Sequence, residues 1–288
     1  MAPVLVTGAA GGTQGSTGRM VTGLLRERGQ EVRAFVHSDD DRAAGLRALG
    51  ADVVAGDLRE IASVLPAVHG ADRVFFTYPV TEGLLDATAA LAAAARPEGM
   101  ARVVNVSQLA AAPDAPTPHM RQHWLSEQVL DRAEVGAVHL RAAVFFENLA
   151  VLADASDGRE LAMPLGPPDT VVPLVAAEDV ARVGAGLLTA PMPDTAPVCL
   201  LTGQAATIGE IADAFGLRYT EMAAEEWERR AMGLYGDAHT VAHLTKLWEI
   251  FRLIGSGHDL YEVTATIERY GGRPPRTLGE FTRARARA

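Results

Sequence analysis

The stretch Val4-Leu5-Val6-Thr7-Gly8-Ala9-Ala10-Gly11-Gly12-Thr13-Gln14-Gly15-Ser16-Thr17-Gly18 decides the fold. An apolar run breaks into glycines, of which Gly12, Gly15 and Gly18 fit the spacing G-x-x-G-x-x-G. With no Cβ in the way, such a turn lets backbone N–H groups approach a pyrophosphate, and the helix it opens adds partial positive charge. Met20, Val21, Leu24 and Leu25 give the next segment an apolar helical face, Gly29 stops it, and residues 31–36 read as a second strand. Strand, glycines, helix, strand is the start of a dinucleotide-binding unit; a tight turn that binds nothing is the alternative. About 20 residues beyond the glycines, where such a unit meets the ribose, stand His37 and Ser38.

The alternation continues. Helix is expected over residues 43–49, 61–68 and 84–95, and strand over 51–55, 73–78 and 102–106. This order predicts an α/β fold, a doubly wound parallel sheet of Rossmann type with right-handed crossovers. Strand ends then share one rim with the glycine loop, so Thr77, Tyr78, Pro79 and Ser107 are expected beside a bound cofactor. Asp57, with Leu58 after it, closes the third strand and either accepts from an adenine amino group or caps the helix starting near Arg59. Residues 108–118, rich in Ala and Pro, read as a loop over the crevice, followed by a helix over 119–133 and a strand over 137–145. Gly and Pro crowd residues 157–169. We expect a nucleotide-binding domain over 1–155 and a smaller, mostly helical substrate lobe over 156–288, with parts of 171–201 returning to the first domain.

Composition narrows the function. A chain of 288 residues that is 48% hydrophobic can bury a large core, and a net charge of −10 argues against nucleic acid. No window approaches the unbroken apolar run of a membrane helix, so a cytoplasmic protein without a membrane partner is expected. The single cysteine, Cys199, reads as a buried small hydrophobe, and Arg283, Arg285 and Arg287 as a frayed end. Of 26 basic residues only Lys246 is a lysine. A mechanism that needs a lysine has no other.

Several stretches together resemble the NmrA-like branch of the atypical short-chain dehydrogenase/reductases: residues 4–19, Glu31-Val32-Arg33-Ala34-Phe35-Val36-His37-Ser38, Gly56-Asp57-Leu58, Leu140-Arg141-Ala142-Ala143-Val144-Phe145-Phe146-Glu147-Asn148-Leu149, Val172-Pro173-Leu174-Val175, Glu178-Asp179-Val180-Ala181, and Arg273-Pro274-Pro275-Arg276-Thr277-Leu278. The resemblance covers nearly the whole chain. It implies a Rossmann domain binding NAD or NADP and a small lobe closing the substrate side. Members include NAD(P)H-dependent quinone and azo-type reductases, isoflavone reductases, and nitrogen-regulation proteins that bind dinucleotides without catalysis. This loop departs from the pattern, because Ala9-Ala10-Gly11-Gly12 are additional residues and either Gly8 or Gly12 can be the first glycine of the fingerprint. We therefore assign Gly8, Gly12, Thr13, Gln14, Gly15, Ser16, Thr17 and Gly18, with His37, Asp57, Leu58 and the rim residues, to cofactor binding.

A second departure concerns chemistry. Complete relatives use a tyrosine proton donor followed four residues later by a lysine. Here that helix carries His119-Met120-Arg121-Gln122-His123, with no tyrosine between Tyr78 and Tyr219. His119 or His123 can serve as the acid, or both are ordinary helix-surface residues, or His123 orients the cofactor; Tyr78 is another candidate donor. The 2′ position is also open: Asp39, Asp40 and Asp41 disfavour a phosphate, yet the family's reductases favour NADP, toward which we lean. His239 and His243, with Asp237 before them, have metal-ligand spacing but no third partner in the sequence, so no metal is expected. Trp227, Trp248 and Phe251 read as lobe core or as the wall of an apolar substrate pocket, and Glu147-Asn148 as positioning residues or a turn.

The reading that follows is an NAD(P)H-dependent oxidoreductase passing hydride to a small apolar acceptor such as a quinone, activated alkene or carbonyl. A non-catalytic dinucleotide sensor that binds a partner protein, and a non-redox biosynthetic enzyme, are the rivals. The partner is a small molecule, and a homodimer is one assembly left open.

Overall fold

Three apolar residues without a polar interruption suit a strand covered on both faces, and Val4–Val6 (β1) is fully buried. The computed structural model describes residues 2–12, 16–190 and 196–287. After β1 come Thr17–Glu27 (α1), Val32–Val36 (β2), Asp41–Ala48 (α2), Asp52–Ala55 (β3), Ile61–Val68 (α3), Arg73–Phe76 (β4), Leu84–Ala95 (α4), Arg102–Gln108 (β5), Pro118–Arg132 (α5) and Ala137–Ala142 (β6). The chain continues through Val144–Phe145 (β7), Phe146–Asp154 (α6), Glu160–Met163 (β8), Val171–Val175 (β9), Ala177–Thr189 (α7), Val198–Leu201 (β10), Gln204–Thr207 (β11), Ile208–Ala214 (α8) and Arg218–Glu221 (β12). Ala224–Tyr235 (α9), Ala238–Leu253 (α10), a 3₁₀ turn at Asp259–Tyr261, Thr266–Gly271 (α11) and Leu278–Arg285 (α12) complete it.

Seven strands form one sheet in the order β10-β6-β5-β4-β1-β2-β3, and every pairing in it is parallel. Alternation along β1 sends Val4 and Val6 into a core shared with Val21 and Leu25 of α1 and Val180 and Leu187 of α7. Leu5 points the other way, against Val64, Leu91 and Val103. Both faces are therefore covered, as a doubly wound sheet requires. The strand order turns between β1 and β4, and a crevice at their carboxyl ends follows. Thr7 ties the two ends together, its hydroxyl donating to the Thr77 carbonyl and accepting from the Thr77 N–H, both at 2.9 Å.

A third core gathers Trp227, Trp248, Phe251 and Phe281 of the mainly helical C-terminal part with Phe146 of α6. Two small sheets, β11-β9-β7 and β12-β8, stand apart from the main one. Of the smaller elements, β8, β11 and α6 are absent from a reading of periodicity, since each is short and set among Gly, Pro or helix-permissive residues. Between the 3₁₀ turn and α11, Thr264 donates its N–H to the Thr202 carbonyl and its hydroxyl to the Leu200 carbonyl, which ties that segment to the end of β10. The expected frayed end is instead α12, started by a reciprocal cap between Thr277 and Glu280, with Arg285 paired to Asp154 at 2.7 Å.

Candidate functional site

Gly8, at the carboxyl end of β1, has φ of +60°, and a Cβ there would lie 2.7 Å from the Thr77 side chain. A Cβ on Gly18, in the first turn of α1, would lie 2.6 Å from the Gly8 carbonyl oxygen. Neither position has room for a side chain: Gly8 is blocked by the Thr77 methyl and by its positive φ, and Gly18 by the backbone of Thr7 and Gly8. Gly12 has open space around it, so it is not held by packing as Gly8 is. Thr13, Gln14 and Gly15 lie outside the described residues. Ser16 is the N-cap of α1 but makes no side-chain cap bond, and it does not border the cavity described next.

A cavity of about 870 Å³ runs from this loop, across the carboxyl ends of the strands, to the inner face of α10. Gly8, Gly12, Thr17, Gly18, His37, Asp57, Leu58, Thr77, Tyr78, Pro79 and Ser107 all border it, as do His119 and His123. Asp57 does not cap α3, whose N-cap is Glu60. Its carboxylate accepts from the Arg59 side chain and from the Arg59 N–H, and those bonds hold its pKa down to about 2. Ser107 donates to Glu127 at 2.6 Å, and Arg141 closes on the same carboxylate with two bonds of 2.9 and 2.6 Å. Glu127 stands four residues after His123 on α5. Lys246 pairs with Glu249 and does not border the cavity. The Tyr78 hydroxyl donates to the Glu82 carbonyl at 3.1 Å, and burial raises its pKa.

The histidines are not helix-surface residues. Burial on α5 falls on His119, Met120, His123, Ser126, Glu127 and Leu130, while Leu125 and Val129 face solvent. His239 and His243 of α10 then meet the α5 pair. The His119 ring lies 4.7 Å from His123, 5.2 Å from His239 and 4.9 Å from His243, centre to centre. His239 Nε2 is 3.1 Å from His119 Nδ1. His243 is held at both nitrogens, by Thr117 at 3.1 Å and Gln108 at 3.0 Å. Burial, and next the charge of His239, brings the His119 pKa down to about 4; burial first brings His243 down to about 3 and His123 well below its ordinary value. At neutral pH these three are uncharged imidazoles. Among the described residues, no group of three or more His, Cys, Asp or Glu is arranged to hold a metal ion. Asp237 is occupied as the cap of α10, accepting from the Thr240 N–H at 2.8 Å.

Five buried polar atoms on residues bordering the cavity have no hydrogen-bond partner among the described residues: Gln108 Oε1, His119 Nε2, His123 Nδ1, Asn148 Oδ1 and Trp248 Nε1. Asn148 sits in α6, not in a turn, and its neighbour Glu147 instead accepts from the Ala177 N–H at the start of α7. Leu244, Leu247, Trp248 and Phe251 supply the apolar wall opposite. Sequence reasoning missed Arg42, which borders the cavity near the glycine loop and reaches the Gly11 carbonyl at 3.3 Å. It follows the three aspartates that drew attention to themselves.

A family model described as NAD(P)H-binding matches residues 12–191. The chain belongs to this NAD(P)H-binding family. NAD(P)H is accordingly its cofactor class, and the fold is that of the NmrA-like reductases. It is 31% identical over 287 residues to the NAD(P)H azoreductase of Xenophilus azovorans, covering 96% of this chain and 97% of the relative. Among solved structures it resembles an NADPH-dependent quinone oxidoreductase of Escherichia coli complexed with NADPH (TM-score 0.78, 19% identity, 98% of this chain and 99% of that one). It also resembles the triphenylmethane reductase of Citrobacter sp. complexed with NADP(H) (TM-score 0.79, 17% identity, 98% and 99%). No described helix is long and apolar enough to cross a membrane.

Proposed function

We propose that this chain is an NADPH-dependent reductase that passes hydride to a small, largely apolar acceptor of the azo or quinone class. The observation that carries the reading is the single cavity joining a backbone cradle to an apolar wall through buried, unpartnered polar atoms. The cradle fits a dinucleotide: Gly8 and Gly18 leave main chain where side chains would block a pyrophosphate, and Arg42 stands near the second strand's end for a 2′-phosphate. His37, Asp57 and Leu58 would border the adenosine half, and Thr77, Tyr78, Pro79 and Ser107 the nicotinamide half. Bound NADPH supplies the hydride.

The rest falls to the protein. Leu247, Trp248 and Phe251 exclude water and hold an aromatic acceptor, and Asn148 orients a polar atom on it. His119 and His123, neutral and buried, donate hydrogen bonds to the acceptor heteroatom that gains electrons. Relatives that are azo, quinone and triphenylmethane reductases support the acceptor class. The test is loss of reduced-nicotinamide absorbance with a panel of azo, quinone and triarylmethane acceptors. Tight NADPH binding without turnover on any of them overturns the reductase reading in favour of a dinucleotide sensor.

A further inference from the structure

Four imidazoles at the junction of α5 and α10 are not equivalent. His243 has both ring nitrogens engaged by Thr117 and Gln108, so it neither receives nor delivers a proton without breaking a bond. Tyr78 is spent on the Glu82 carbonyl. His119 has Nδ1 facing His239 Nε2 at 3.1 Å, while its Nε2 is buried and has no hydrogen-bond partner among the described residues. His119 borders the cavity and is 1% exposed, whereas His239 is partly exposed and does not border the cavity. One imidazole touches solvent, the next touches the cavity, and a hydrogen bond joins them.

We propose that His239 and His119 form a two-imidazole proton relay that carries a proton from solvent to the reduced acceptor; this rests on the reductase reading above. As hydride arrives, the acceptor heteroatom gains an electron pair. The His119 Nε2–H bond breaks as an N–H or O–H bond forms on that heteroatom. The His239 Nε2–H bond breaks as the His119 Nδ1–H bond forms and as water delivers a proton to His239 Nδ1, so His119 holds no full charge in its buried setting and His239 is not left an anion. Once the product leaves, water in the cavity gives a proton to His119 Nε2 as the Nδ1 proton returns to His239 Nε2 and His239 Nδ1 releases its proton to solvent, which restores both starting tautomers. His239 touches neither substrate nor cofactor, and acts through His119.

Acceptor chemistry separates this role from a structural one. A neutral azo dye needs a proton with its hydride, because hydride on one nitrogen leaves the other a strong base. A triarylmethane dye cation takes hydride at its central carbon and needs no proton. In His239→Gln, whose amide keeps a hydrogen bond but does not relay protons, the ratio of azo to triarylmethane turnover with NADPH is expected to fall about a hundredfold, the low end of general acid catalysis. In His239→Ala, free imidazole is expected to restore the ratio. Side-chain ¹⁵N spectra of the cofactor-free protein provide a second readout: the His119 Nδ1 resonance, that of a bare acceptor nitrogen in the wild type, is expected to shift in His239→Gln. An equal fall for both dyes, an unchanged ratio, or no response to imidazole overturns the relay. So does a wild type that reduces the cation but not the azo dye, which leaves the reductase reading intact. A wild type that reduces neither overturns that reading, and the relay with it.

Discussion

The glycine end of the cavity comes from one segment, residues 4–18, and offers main chain; the histidine end joins side chains of α5 to side chains of α10 across 120 residues of sequence. The first is fixed largely by local chemistry, since a Cβ on Gly18 would meet the Gly8 carbonyl ten residues before it. The second exists only where side chains of α10 meet those of α5. A site built from backbone is hard to alter without losing the fold, whereas one built from converging side chains is open to replacement residue by residue. That contrast explains how a chain keeps its cofactor cradle while lacking the tyrosine and lysine of complete relatives.

The largest expected effect tests whether the two ends are separable. Trp248 is 1% exposed, forms the cavity wall and packs edge-on against Trp227. Trp248→Ala is expected to lose about 3–5 kcal/mol of stability by denaturant titration. NADPH affinity in the folded variant is expected to stay within about threefold, by calorimetry, because the cradle is held elsewhere. A large loss of affinity breaks the comparison.

Acid tests the histidine end alone. His119 is depressed to about 4, and His243 to about 3, from an unfolded value of about 6.5. Between those values the unfolded chain binds more protons than the folded one, so stability is constant above pH 6.5 and falls as pH drops toward 4. The loss is expected to reach about 3 kcal/mol for His119 by itself, at up to about 1.4 kcal/mol per pH unit for each such histidine. His123→Gln, which removes one of the buried titrating rings, is expected to flatten the slope of stability against pH between 4 and 6.5. A stability that is flat over that range contradicts burial of the cluster.

The same contrast governs what the sequence reveals. Strand, glycine turn and helix are local, and so the parallel sheet and the rim residues Thr77 and Ser107 can be read directly. On α5 the usual signal is inverted: buried positions carry His, Ser and Glu, while Leu125 and Val129 are exposed, so hydrophobic periodicity points to the wrong face. Nothing local links His119 and His123 to His239 and His243. Their shared four-residue spacing was the only signal, and it became informative once α10 was seen to lie over α5. Arg42 was hidden for another reason, because the neighbouring aspartates made its surroundings read as acidic.

At the glycine end, Gly18→Val is expected to raise the Kd for NADPH at least about 100-fold, since its Cβ alone would meet the Gly8 carbonyl at 2.6 Å. Gly12→Ala, at a position with open space, is expected to change it by less than threefold. Equal effects at both positions would make Gly12 part of the cradle.

The smallest effect sharpens the choice of nucleotide. Asp39 is engaged by Arg47 and Asp40 by Arg42, each at 2.6 Å, which offsets the carboxylates that would repel a 2′-phosphate. An exposed ion pair is weakly held, so Arg42 is free to exchange Asp40 for a more highly charged phosphate. Arg42→Ala is expected to raise the Kd for NADPH about tenfold, the scale of a charge-assisted bond, and to leave that for NADH unchanged. Asp40→Asn, which removes the competing carboxylate, is expected to move NADPH the other way. The decisive quantity is the ratio of the two Kd values, because Arg42 also donates to the Gly11 carbonyl at 3.3 Å. If both cofactors weaken equally in Arg42→Ala, the residue is there to hold the glycine loop, and discrimination of the 2′ group lies with another residue.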